Sequence, residues 1–261
     1  MRLEFLTQDD PLYILPFFDE FLRHYSGDFE ILQISCSPTM GKRSRTQLLR
    51  ELTTLYGLVG MTRVLSEVVI SRVRGKSLLD RRAPRFYGME QIARANGIPL
   101  KRIGNPNDID FIESVRKRKA DVLVSVACPY ILKNELLRLP PQGCINIHHA
   151  PLPRYKGMMP TFWQMFHGET TVGVTIHRMV AKLDEGTALL QDSMAIEPGE
   201  TLHHLIRRSK RHGAHCMARA LKQIAASSSS EVALDQEKGT YFTFPTTDEI
   251  REFHRRGFRA I

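Results

Sequence analysis

Five short runs of aliphatic and β-branched residues alternate with segments of helical period through the first part of the chain, and this alternation narrows the fold more than any single motif. Residues 2–6 alternate like a strand. After Asp9-Asp10-Pro11 the apolar residues Ile14, Phe17, Phe18, Phe21 and Leu22 recur at helical spacing, and 29–35 is a second strand followed by a Pro/Gly loop. Helix 89–96 leads through Asn96-Gly97 to Ile98-Pro99-Leu100, helix 108–118 leads to the apolar strand 121–126, and a helical 131–137 precedes the strand Cys144–His148. Strands this apolar, joined by helices, predict an α/β fold with a Rossmann-like, mostly parallel sheet covered by helices on both faces.

One segment interrupts the series after the second strand. Between 46 and 74, Leu48, Leu49, Leu52, Leu55, Tyr56, Val59, Val64, Leu65, Val68 and Val69 fall near helical spacing, with Gly57 and Gly60 placed to break the run into two helices. The segment 42–85 holds eleven basic residues against three acidic ones, a local excess of +8 in a chain of net charge +9. The remainder is nearly neutral, so no nucleic-acid-binding face is expected on the core. The insertion itself calls for an anionic partner or a structural use. Peripheral contact with an acidic membrane surface, a cover over the substrate cleft, a seam in a homodimer, and an apolar stripe packed on the core with its arginines in water are all compatible with it.

The other features set the class of protein. With 261 residues, 42% hydrophobic and 25% charged, the composition is that of an ordinary globular chain. No uninterrupted apolar run approaches the roughly 20 residues of a membrane span. The start, Met1-Arg2-Leu3-Glu4, has no secretory pattern, and Cys36, Cys128, Cys144 and Cys216 form no CxxC pair. The expected location is therefore the reducing cytoplasm. Thr201 is placed to cap a helix running to about 226, and Ser227 to Ser230 form a short join. Beyond it come a strand-like 239–244 and a last helix with a Thr246/Glu249 capping box, ended by Gly257. The expected organisation is a domain over 1–226 with a C-terminal extension over 227–261. His212 and Cys216 fall one helical turn apart beside His203, His204 and His215, but no carboxylate or second cysteine completes a set, and no metal site is expected.

Asn146 and His148 lie two apart on a strand, so their side chains share a face at the strand's C-terminal end, where open α/β sheets bind ligands. An Asn amide can hold a developing oxyanion and a His can protonate or polarise the same group. Asp184, just before Gly186, is placed to orient the imidazole. The same residue types also serve as loop caps and in ordinary turns.

The run Asn146-Ile147-His148-His149-Ala150-Pro151-Leu152-Pro153-Arg154-Tyr155-Lys156-Gly157, followed by Gly173-Val174-Thr175-Ile176-His177 and Leu183-Asp184-Glu185-Gly186, resembles the folate-dependent formyltransferases over about 118–195. The likeness is to the N-terminal domain of methionyl-tRNA formyltransferases, with a layout closest to sugar N-formyltransferases. It implies a catalytic trio of Asn146, His148 and Asp184, and 10-formyltetrahydrofolate as co-substrate. It also implies a pterin cleft formed by Ala127, Cys128, Pro129, Tyr130, Ile131 and Leu132 with Val180, Ala181 and Lys182.

Three departures bear on the acceptor. Ala150 stands where the family commonly has Ser, leaving His149 to fill space on the far face of the loop. The turn Thr7-Gln8-Asp9-Asp10-Pro11 lacks the glycine-rich phosphate cradle of the purine-pathway members. Residues 227–261 are too few for the barrel domain of the tRNA enzymes. The resemblance then points to a phosphate-bearing small-molecule amine, a nucleotide-linked amino sugar. Arg154, Lys156 and Lys182 would face its diphosphate, and Trp163, Tyr241 or Phe242 its base. Hydrolysis of formyltetrahydrofolate, formylation of a tRNA or ribonucleotide, and a non-catalytic basic binding module are the alternatives.

Overall fold

A computed structural model describes residues 1–38 and 45–261, so Lys42 and Arg43 of the basic segment lie outside the described residues. The elements in chain order are β1 Arg2–Gln8, α1 Leu15–Tyr25, β2 Glu30–Ser37, α2 Arg45–Arg74, α3 Met89–Ala95, β3 Leu100–Arg102, α4 Ile109–Arg118, β4 Val122–Val126 and α5 Asn134–Leu137. They continue as β5 Cys144–His148, β6 Lys156–Gly157, α6 Pro160–Phe166, β7 Thr171–Arg178, β8 Ala188–Ala195, α7 Leu202–Ala225, β9 Tyr241–Phe242 and α8 Thr247–Arg255. Seven strands form one sheet in the order β3-β2-β1-β4-β5-β7-β8. The first five are parallel, whereas β7 pairs antiparallel with both β5 and β8.

Side chains alternate across the sheet and both faces are dry. Phe5, Val124 and Ile145 point into a core shared with Phe17 and Phe21 of α1, Ile92 of α3 and Leu221 of α7. Their sequence neighbours Leu6, Leu123 and Cys144 point the other way, onto Phe111 and Ile112 of α4 and Leu136 of α5. This two-sided burial is why the strands carry continuous apolar runs.

The structure differs from the sequence expectation in several places. The helical stretch at 131–137 shortens to α5, and the strand expected over 239–244 shortens to β9. Gly57 alone breaks α2, at φ 67°, ψ 174°, while Gly60 stays helical and lets Ile261 approach closely, its Cγ2 2.7 Å from where a Cβ would lie. The stretch Leu49–Arg74 is long and apolar enough by length and composition to cross a membrane, with polar residues interspersed so that no uninterrupted run reveals it. Its inner face is nevertheless buried, with Leu55, Tyr56, Met61 and Val64 in a second core beside Phe162, Trp163 and Phe253.

The C-terminal extension is integral to that second core. β9 pairs with β6, Phe253 of α8 stacks on Phe162 at 4.8 Å, and the Leu202 and His203 N–H groups at the start of α7 donate to the Arg259 and Ala260 carbonyls. The expected caps are present: Thr201 accepts from His204, and Thr246 and Glu249 form the capping box.

Candidate active site

In the middle of β5, two residues before its C-terminal end, Asn146 pairs in register with His177 of β7. Asn146 Nδ2 lies 3.1 Å from His177 Nε2, and His177 Nδ1 lies 2.9 Å from the Arg178 carbonyl oxygen. A carbonyl only accepts, so Nδ1 carries the ring proton and Nε2 offers a lone pair to the Asn146 amide. Burial lowers the His177 pKa to about 4 against the opposing pull of Asp184, which keeps this ring neutral. The contact fixes which way the Asn146 amide faces.

Asp184 reaches the same point from the β7–β8 loop in a left-handed conformation, φ 53°. The loop can turn so tightly because the residue two positions on is Gly186, where a Cβ would lie 1.7 Å from the Arg178 carbonyl oxygen. Asp184 is buried, and its Oδ2 accepts from the Gly157 N–H at 3.2 Å. Its carboxylate stands between two imidazoles, 3.6 Å from His148 Nδ1 and 3.6 Å from His177 Nε2. His148 itself donates from Nε2 to the Tyr155 carbonyl at 2.8 Å, leaving Nδ1 toward Asp184. It sits behind the carboxylate, while Asn146, His177 and Asp184 line the cleft.

The proline loop that joins these residues is pinned to β7. A Cβ at Gly173 would meet Pro151 N at 2.5 Å, so the glycine permits the close approach. Thr175 Oγ1 donates to the Ala150 carbonyl at 2.7 Å and accepts from Leu152 N at 3.1 Å. Gln164 Nε2 donates to the His149 carbonyl while its Oε1 accepts from Gly173 N, both at 2.8 Å. The hydroxyl missing at Ala150 is thus replaced by neighbours that hold its backbone. His149 points away from the cleft to Ser209 and packs near Gly213, with its pKa pushed well down by burial.

Beside the trio opens a solvent-connected cleft. Cys128, Tyr130, Ile131, Leu132, Val180 and Lys182 line it, joined by Ser125, Met179 and Leu183, which the sequence pattern had not assigned to the cleft. Ala127, Pro129 and Ala181 lie in the same loops but do not form its wall, Pro129 and Ala181 being turned to solvent. Burial pushes the Cys128 thiol up to about 12, so it acts there as an apolar surface.

The acceptor-side residues separate into two groups. Trp163 does not present a platform: it is buried, donates from Nε1 to the Thr243 carbonyl at 3.0 Å, and stacks at 4.7 Å on Phe242, which in turn stacks on Tyr155 at 5.6 Å. Both rings belong to the second core. Tyr241 is exposed and its ring borders Gly157, whose N–H holds Asp184. Arg154 is paired with Glu169 at 2.8 Å and Lys156 lies 3.5 Å from Glu185, whereas Lys182 extends into solvent from the cleft wall, 3.6 Å from Glu185.

The carboxylate absent from the His212/Cys216 sequence pattern is Asp192 of β8, and the three ligand atoms come within 4.8 Å of one another. Arg219 Nη1 lies 2.6 Å from the same Asp192 oxygen, so a guanidinium already supplies the cation there.

Residues 98–221, which carry Asn146, His177, Asp184 and the cleft wall, match the family model described as formyl transferase. A methionyl-tRNA formyltransferase of Moorella thermoacetica is 34% identical over 170 residues, 65% of this chain, and the chain spans 53% of that relative's length. The fold is shared with glycinamide ribonucleotide transformylase 1 from Symbiobacterium toebii, with TM-score 0.59, 18% identity, and coverage of 90% of this chain and 94% of that one. It is also shared with an N-formyltransferase from Helicobacter canadensis solved with folinic acid and dTDP-3-aminofucose, with TM-score 0.57, 15% identity, and coverage of 99% of this chain and 83% of that one.

Proposed function

We propose that this chain transfers the formyl group of 10-formyltetrahydrofolate to a primary amine, the amino group of a nucleotide-linked amino sugar. The observation that carries the reading is the convergence of an oriented Asn146 amide and the buried Asp184 carboxylate on one end of a largely apolar cleft. The wall formed by Cys128, Ile131, Leu132, Met179, Val180 and Leu183 suits a flat bicyclic ring, and the polar end suits the formyl group it carries.

The amine attacks the formyl carbon, a C–N bond forms, and the carbonyl oxygen gains negative charge. Asn146 has a second amide N–H beyond the one given to His177, and it stabilises that oxygen; one such donor is worth on the order of 10²–10³ in rate. As the attacking nitrogen becomes acidic, its proton passes to the Asp184–His148 pair, in which His148 offers Nδ1 as the proton-holding atom. The bond to N10 then breaks and N10 takes up the proton, releasing tetrahydrofolate. His177, neutral by burial, orients Asn146 without competing for the proton.

A sugar-nucleotide acceptor is supported by the exposed Lys182 at the cleft wall and the exposed Tyr241 ring beside Gly157. They offer a charge for a diphosphate and a face for a base. The fold-sharing Helicobacter canadensis protein was solved with an acceptor of this kind. The test is to incubate the protein with 10-formyltetrahydrofolate and a panel of amino-sugar nucleotides, following tetrahydrofolate release and product mass. Formylated sugar nucleotide supports the reading. Release independent of any amine would make water the acceptor, and no release at all would leave the basic binding module as the better reading.

A further inference from the structure

Beyond Gly57, α2 carries apolar residues on two faces. Met61 and Val64 face inward with Leu55 and Tyr56 into the second core. On the opposite side, at the 3.6-residue period, Leu58, Val59, Val69 and Val73 stand in solvent at 78%, 84%, 57% and 70% exposure, with Leu65 and Ile70 also exposed among them. Only Thr62 and Ser66 interrupt this strip, and their hydroxyls bond back to the Val59 and Arg63 carbonyls of the same helix. Exposed Arg72 borders the strip on one side and exposed Arg63 and Arg74 on the other. Glu67, the one acid in this half of the helix, is turned inward toward Arg207 at 3.1 Å and Arg63 at 3.7 Å. Exposed Lys76, Arg81 and Arg82, against the single exposed acid Asp80, extend the positive charge past the helix end.

We propose that this outward face docks on the surface of an anionic lipid bilayer, with α2 parallel to the membrane plane, its aliphatic strip among the upper acyl chains and its bordering arginines at the headgroups. The helix lies on the membrane and does not cross it, because the inner face is buried in the protein's own core and Gly57 bends it out of line. Arginines along the edges of an apolar strip are the arrangement in which long side chains keep stem and head in their preferred media. The charge pattern chooses this occupant over a second copy of the chain: two such faces brought together set arginines against arginines with no outward carboxylate between them.

The full chain is floated with vesicles of neutral phosphatidylcholine and with vesicles in which part of it is replaced by phosphatidylglycerol. Each basic residue near an anionic surface is worth about fivefold in binding, so anionic vesicles are expected to retain on the order of 10²-fold more protein, falling steeply with added salt. The double substitution Val69→Glu/Val73→Glu changes only solvent-facing positions, so it is expected to keep the wild-type thermal transition and lose vesicle binding. Light scattering without vesicles accompanies the assay. The proposal is overturned if the folded wild type does not bind anionic vesicles, if the double variant binds as well as wild type, or if the wild type is a stable dimer that the double variant dissociates.

Discussion

Asn146 and His177 face each other across the β5–β7 pair, with the Asn amide donating to an imidazole nitrogen 3.1 Å away whose partner nitrogen is held by the Arg178 carbonyl. With the ring proton committed to Nδ1, Nε2 can only accept, so the amide of Asn146 has one orientation. His177→Leu removes the acceptor and frees the amide to rotate. The kcat for formyl transfer is expected to fall about tenfold or more, part of the full value of an oxyanion donor, with KM for the formyl donor changed much less. His177→Gln, which returns an acceptor oxygen, is expected to recover part of kcat.

Gly186 sets where Asp184 stands. With the Arg178 carbonyl oxygen 1.7 Å from any Cβ, Gly186→Ala must push the β7–β8 loop outward. Because the obstruction is backbone, no side-chain rotation relieves it. Transfer activity is expected to vanish, and binding of 5-formyltetrahydrofolate, read by thermal shift, to fall with it. Retained binding and turnover in this variant would show that Asp184 does not need its observed position.

The burial of His177 has a signature in stability. Its folded pKa, about 4, lies below the 6.5 of the exposed ring, so between these values the unfolded chain holds the extra proton. Stability contributed by this group is complete above about pH 6.5 and is lost as pH falls toward 4. The urea midpoint of the wild type is expected to drop more steeply over that window than that of His177→Gln. Parallel pH profiles would mean that the ring titrates normally in the folded protein.

Trp163 and Tyr241 should respond in opposite ways. Trp163 fills the second core between Phe242 and Phe162, and Trp163→Ala is expected to cost about 3–5 kcal/mol in denaturant unfolding. Tyr241→Ala, at an exposed ring, is expected to stay within about 0.5 kcal/mol of wild type while raising KM for a nucleotide-linked acceptor. A stable Trp163→Ala with weakened acceptor binding would reverse these roles.

The parallel α/β core was legible because strands buried on both faces leave continuous apolar runs, as at Val122–Val126, and because Thr201 and Thr246 mark helix starts in a local code. Asn146, His148 and Asp184 were legible as residue types in order. What the sequence did not disclose depends on contacts between distant segments. His177 reaches Asn146 through an antiparallel pairing 31 residues away in sequence, and only that register puts it in the site. Trp163 resembled a platform until β9 laid Phe242 over it. Helical spacing in α2 suggested a stripe for the core, but apolar residues occupy both faces, and which face is covered is decided by α8 and the chain end, far along the sequence.

Asn146, His148 and Asp184 are proposed to act together in moving a formyl group to an amine. A single-turnover assay with 10-formyltetrahydrofolate labelled with ¹³C in the formyl carbon and a dTDP-linked amino sugar tests it most directly, with Asp184→Asn and His148→Ala alongside wild type. Asp184→Asn keeps an oxygen for the Gly157 N–H, so its fold should persist. The wild type is expected to place the label on the sugar nitrogen, and each variant to be slower by roughly 10²–10⁴ while still binding the folate. Label transfer at the wild-type rate by either folded variant would contradict the account.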